Sequence, residues 1–108
     1  MSKHAGRPPP KLSPPIDASA QRLAELFGAL SDPTRVRIIA SLLDVELSVR
    51  AIAEATGASE SAVSHQLRLL RNLRLVRARK AGRQVFYTLD DDHVTELFLC
   101  GLEHVRHG

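Results

Sequence analysis

Residues 48–73 read SVRAIAEATGASESAVSHQLRLLRNL, and the way this stretch divides governs what the rest of the chain must be. Val49 to Thr56 has the length of a short helix, with Ile52 and Ala53 turned inward. Gly57 supplies a left-handed cap to close it, and Ser59 is placed to cap the next helix. That second helix, Glu60 to Leu73, buries Val63, Leu67 and Leu70 at helical spacing. It leaves Ser61, Ser64, His65, Arg68 and Arg71 on its outer side. Two helices across a tight glycine turn, the second carrying small polar and basic residues on its free face, make a helix-turn-helix. Small serines let a backbone approach the major groove, their hydroxyls can bond a base edge or phosphate, and His or Arg can donate to a guanine acceptor. A solvated helix pair of no function would share much of this pattern, so the flanking sequence has to decide.

Downstream, Leu75 to Lys80 and Gln84 to Leu89 are short β-like runs joined by Ala81-Gly82-Arg83, with Val85, Tyr87 and Leu89 alternating inward. The pattern predicts a hairpin carrying Arg79, Lys80 and Arg83 at its tip. A basic hairpin directly after a recognition helix is a wing, poised to touch phosphate or the minor groove. The fold expected is therefore mainly α with a small β-hairpin, a winged helix-turn-helix. The candidate DNA-binding residues are Ser61, Ser64, His65, Arg68, Arg79, Lys80 and Arg83.

Upstream, a helix from Ser19 to Leu30 carries Leu23, Leu26, Phe27 and Leu30 on one face. Asp32-Pro33 restarts the chain, with Pro33 in a first turn that tolerates it. The next helix, Thr34 to Leu43, is expected to bury Val36, Ile39, Ala40 and Leu43, with Arg35 and Arg37 solvated. Residues 1–17 include Pro8, Pro9, Pro10, Pro14 and Pro15 and little that is apolar, and read as a disordered tail ahead of one domain over 18–108.

The chain's 108 residues suffice for one small domain, whose modest core would gain from a dimer interface. A single cysteine, Cys100, leaves no intramolecular disulfide framework and no thiolate cage within one chain. No apolar run suits a membrane span or a signal peptide, so a cytoplasmic protein with no membrane partner is expected. The net charge of +3 is unevenly spread. From Ser59 to Arg83 seven basic residues face one acid, Glu60; from Asp90 onward five acids face Arg106 alone. The first half suits a polyanion and the second a cation.

That acidic end, DDDHVTELFLCGLEHVRHG over residues 90–108, is a capped helix with Val94, Leu97, Phe98, Leu102 and Val105 on its apolar face. Asp91 and His93 stand at its start, His104 and His107 at its end. At about 100° per residue, His93 and His104 point the same way to within roughly 20°. They lie about 16 Å apart along the axis, too far for one ion to bridge. Two copies packed antiparallel would bring the start of one helix beside the end of the other. The result is a homodimer with two identical sites, each holding Asp91 and His93 of one chain and His104 and His107 of the other. Each residue alone has a plain explanation: an aspartate cap, or a histidine favourable against the helix dipole. Four at a spacing that closes only through a dimer do not.

With helix-turn-helix, wing and terminal ligand helix together, the chain resembles the ArsR/SmtB family of metal-responsive repressors from Ala18 to its end. The marks are ALSDPTRVRII, SESAVSHQLRLLRNLRLV, AGRQVFYTL and the Asp-x-His, His-x-x-His spacing of the last helix. The resemblance implies a homodimer formed through the first and last helices. It also implies an intersubunit site of the zinc, cobalt and nickel type at Asp91, His93, His104 and His107, and operator contacts by Ser61, Ser64 and His65. The family's arsenic, cadmium and lead sensors use a cysteine box. Its framework here is Glu46-Leu47-Ser48-Val49-Arg50, with Ser48 and Arg50 at the two thiolate positions, so that site is absent.

Three imidazoles and a carboxylate suit tetrahedral zinc, with cobalt accepted almost as well. Nickel prefers further ligands, for which His4 or the terminal amine are the available donors, and it stays an alternative cognate metal. An enzyme is not expected: the ligand set is closed, and neither a nucleophile elbow nor a His-Glu-x-x-His motif is present. The expectation is a repressor that binds double-stranded operator DNA as a metal-free dimer and is released by metal. Its rival is a winged-helix DNA binder whose zinc is structural, needed merely to dimerise.

Overall fold

Asp32, three residues past the end of the first helix, caps the second, and the domain is built out from that corner. In the computed structural model, which describes residues 14–108, α1 spans Pro14–Ala29 and α2 spans Pro33–Ser41. The Asp32 carboxylate accepts the Arg35 backbone N–H at 3.0 Å, capping α2, while Pro33 takes the first position. There follow β1 (Leu47–Ser48), α3 (Val49–Thr56), α4 (Glu60–Asn72), β2 (Val76–Ala81), β3 (Gln84–Leu89) and α5 (Asp92–His107). The three strands form one antiparallel sheet in the order β1-β3-β2. Five helices around this sheet are a winged helix-turn-helix, as the sequence leads one to expect.

The core lies where α2, α3 and α4 converge on the base of the hairpin. Ile38, Ile39, Leu42, Ile52, Val63, Leu67, Leu70 and Val76 are all less than 2% exposed. Caps set the helix ends: Ser48 accepts from Ala51 N–H at 3.2 Å, Gly57 closes α3 at φ 76°, and Ser59 accepts from Ala62 N–H at 3.1 Å. At the end of α4, Arg74 takes the left-handed conformation (φ 59°) that a glycine would adopt freely. Its N–H reaches the Arg71 carbonyl, and Leu75 N–H reaches the Leu70 carbonyl at 2.9 Å, a Schellman closure with Leu70 and Leu75 both buried.

Several expectations need correction. Helix α1 begins at Pro14, not Ser19, because the two prolines lack only N–H groups that a first turn leaves unbonded anyway. Residues 14–17 of the expected tail thus lie in α1, and residues 1–13, His4 among them, lie outside the described residues. In α2 the buried positions are Ile38 and Ile39, with Leu42 after it. Ala40 is exposed, since the buried side is the one Ile38, Ile39 and Leu42 share and Ala40 points roughly 150° away from it. The wing's Val85 is exposed because it sits past the last core residue beneath the hairpin. Leu26 of α1 and Leu30 just after it pack on the core, but Leu23 is 43% and Phe27 54% exposed.

Candidate functional site

The exposed side of α4 carries Ser61, Ser64, His65 and Arg68 at i, i+3, i+4 and i+7, a single stripe opposite buried Val63, Leu67 and Leu70. Ser59 opens it, its hydroxyl 3.5 Å from that of Ser61. Six basic residues, Arg71, Arg74, Arg77, Arg79, Lys80 and Arg83, continue the stripe's charge through the wing, with no acid between Glu60 and Asp90. The tip of the wing is a two-residue turn, Gly82-Arg83, closed by the Ala81–Gln84 pair. Gly82 alone has positive φ (62°), the pattern of a type II′ turn. Lys80 and Arg83 project there in solvent.

Arg79 does not. It sits on the outer face of β2 opposite Phe86, and its guanidinium carbon lies 5.3 Å from that ring's centroid. From there it reaches Glu46, just ahead of β1, through Nε to Oε2 at 2.9 Å and Nη2 to Oε1 at 2.6 Å. This bidentate bond holds the Glu46 carboxyl below its ordinary range and raises the Arg79 guanidinium above its own. The sequence reading missed Glu46, since a contact across 33 residues has no local signature. Arg77 beside it donates to Thr88 Oγ1 at 3.4 Å.

The candidate metal donors fall into two pairs at the ends of α5. Asp91 is the helix's N-cap, its Oδ1 accepting from Val94 N–H at 3.1 Å, and the same oxygen lies 3.7 Å from His93 Nδ1. The His93 side chain is 90% exposed. His104 and His107 occupy the last turn, one helical turn apart and both exposed. Among the described residues no protomer gathers three or more such donors in one place. The two pairs stay separated by the length of α5. Three imidazoles and one carboxylate fit a tetrahedral cation of zinc's size and softness.

Ser48 and Arg50 stand where the resemblance would put the thiolates of a cysteine box. The first is busy capping α3, and the second donates to Glu54 at 3.2 Å. Cys100 is exposed on α5.

No residue of α5 is buried: Leu99 is 45% and Val105 71% exposed. Leu30, Val36, Phe98, Gly101, Leu102 and Val105 line a nearly wholly apolar groove of about 270 Å³. Leu23 and Phe27 of α1 add further exposed apolar surface. No described helix is long and apolar enough to cross a membrane.

A recognition helix with a basic wing defines a winged-helix DNA-binding protein. The chain belongs to the arsR family of bacterial regulatory proteins, whose profile matches residues 32–78. It is 49% identical to the transcriptional repressor SmtB homolog of Synechocystis over 81% of its own length and 66% of that protein's. To the HTH-type transcriptional regulator NmtR of Mycobacterium tuberculosis it is 44% identical, covering 88% of this chain and 80% of NmtR. The solution structure of apo-NmtR superposes with a TM-score of 0.75 at 43% identity over 95% of this chain and 86% of that one. The homodimeric winged helix-turn-helix domain Mb0332 of Mycobacterium bovis reaches a TM-score of 0.80 at 28% identity, covering 91% of each chain. The chain is thus a transcriptional regulator, and its relatives are regulators and not enzymes.

Proposed function

We propose that this protein is a metal-sensing repressor that binds operator DNA as a metal-free homodimer and releases it when zinc binds between its terminal helices. The observation that carries the reading is α5: an exposed helix with Asp91 and His93 at one end, His104 and His107 at the other, and an uncovered apolar face between them. Packing two such helices antiparallel covers the face and completes two sites in one step. The relative named a repressor supports repression, and the homodimeric neighbour supports pairing of two chains.

In the dimer the two α4 helices address successive major grooves, about one DNA turn apart. Ser61, Ser64, His65 and Arg68 meet the groove, and Lys80 and Arg83 meet phosphate. Bound metal would supply a cross-link between the terminal helices. The chain's own part is to provide two dimer geometries, one spaced for the operator and one not. Metal must prefer the second, and by linkage DNA must weaken metal binding by the same factor.

Fluorescence anisotropy on a labelled duplex from upstream of the gene, titrated with zinc, cobalt and nickel at fixed salt, tests this. Tight binding without metal, released by one of the three, is the expected result and identifies the inducer. Binding that appears only with metal overturns the derepressing sign and makes the site structural.

A further inference from the structure

We infer that Arg79 is a positioning residue, which holds the wing to the segment opening the helix-turn-helix by gripping Glu46, and is not itself a phosphate ligand. The inference rests on the DNA-binding reading above and corrects one residue in it. On the outer face of the sheet Ser48, Phe86 and Arg79 lie in one cross-strand row, from β1 through β3 to β2. Arg79 crosses that row over the Phe86 ring and ends on the Glu46 carboxylate with both prongs of its fork. Glu46 is two residues from Ser48, the cap of α3. One side chain therefore ties β2 to the root of α3, whose other end leads into α4.

A free hairpin could swing about its base. The latch sets the angle at which Lys80 and Arg83 stand relative to the recognition helix. A phosphate that took the same Nε–Nη2 edge would have to displace a carboxylate already bonded at 2.6 and 2.9 Å. Lys80 and Arg83, exposed at the tip, face no such competitor among the described residues.

The two roles differ in sign. Binding to the upstream duplex is measured across a salt series for metal-free wild type and variants, with far-UV circular dichroism confirming the fold of each. A phosphate ligand takes about 0.9 from the slope of log K against log salt when removed. Lys80→Ala and Arg83→Ala are expected to do so, whereas Arg79→Ala keeps the wild-type slope and weakens binding about fivefold, the size of an exposed ion pair with a cation–π contact. Glu46→Gln weakens binding likewise, and the double variant is no worse than either single one. The swapped pair, Glu46→Arg with Arg79→Glu, recovers affinity. A slope lowered by about 0.9 in Arg79→Ala, together with tighter binding by Glu46→Gln, would overturn the inference.

Hydrogen exchange of the β2–β3 amides without DNA judges the latch separately. Faster exchange in Glu46→Gln and in Arg79→Ala supports it, and unchanged exchange refutes it. If wild type bound no DNA while exchange responded, the latch would stand and the operator reading would fall.

Discussion

Asp91 has two duties that ordinary substitutions separate. Its Oδ1 caps α5 through Val94 N–H, and its carboxylate is one of the proposed metal donors. Alanine removes both and should cost about 1 kcal/mol of stability along with metal affinity. Asparagine still accepts the capping bond, so Asp91→Asn should unfold within a few tenths of a kcal/mol of wild type and yet bind metal more weakly. Urea denaturation of the two variants beside zinc titration checks it. Equal destabilisation by both would show that the charge, not the cap, matters at this end of the helix. Spacing alone revealed Asp91 as a ligand candidate. Its 3.7 Å approach to His93 needed a structure.

Among the elements, the helix-turn-helix was the most legible, because its boundaries are written in local chemistry. Gly57 and Ser59 mark the turn, and α3 runs over the residues expected, Val49–Thr56. Strand β1 was not legible: two residues have no periodicity, and Leu47–Ser48 is a strand only because β3 offers it an edge. The inward alternation assigned to Val85 failed for the related reason that a pattern does not reveal where the core beneath it stops. Arg79 was read by its type and place at a basic tip. Its partner, 33 residues away, is a product of the fold. The end of α4 gave no signal at all, since Arg74 occupies the left-handed position where glycine is usual. A side chain there costs about 1 kcal/mol. Arg74→Gly should therefore raise the unfolding free energy by about that much, a gain readable as a higher urea midpoint at unchanged slope. A loss would mean that the Arg74 side chain contributes more than its backbone strain takes away.

At the scale of the whole molecule, the greasy face of α1 and α5 is the feature a lone chain does not explain. Leu23, Phe27, Leu99 and Val105 are each 43% exposed or more, while the core beneath α2–α4 is sealed. The sequence showed which residues were apolar and at what spacing. It could not show which of them one protomer covers and which it leaves for another. If two chains share this face, the melting temperature should rise with protein concentration. A carboxylate at its centre, Phe27→Glu, should yield monomers by sedimentation, still folded around the sealed core but several-fold weaker on DNA. A monomeric wild type at micromolar concentration would remove the assembly on which the proposed sensor depends.

The division of donors between the two ends of α5 also has a genetic meaning. If metal binds as proposed, a gene copy lacking Asp91 and His93 would encode a repressor deaf to metal, and so would a copy lacking His104 and His107. In a cell carrying both, the mixed dimers set the intact start of one helix against the intact end of the other. One complete site returns and its twin is left with no donors. Mixed dimers purified away from the two deaf homodimers would then regain release from DNA by metal, which neither parent shows.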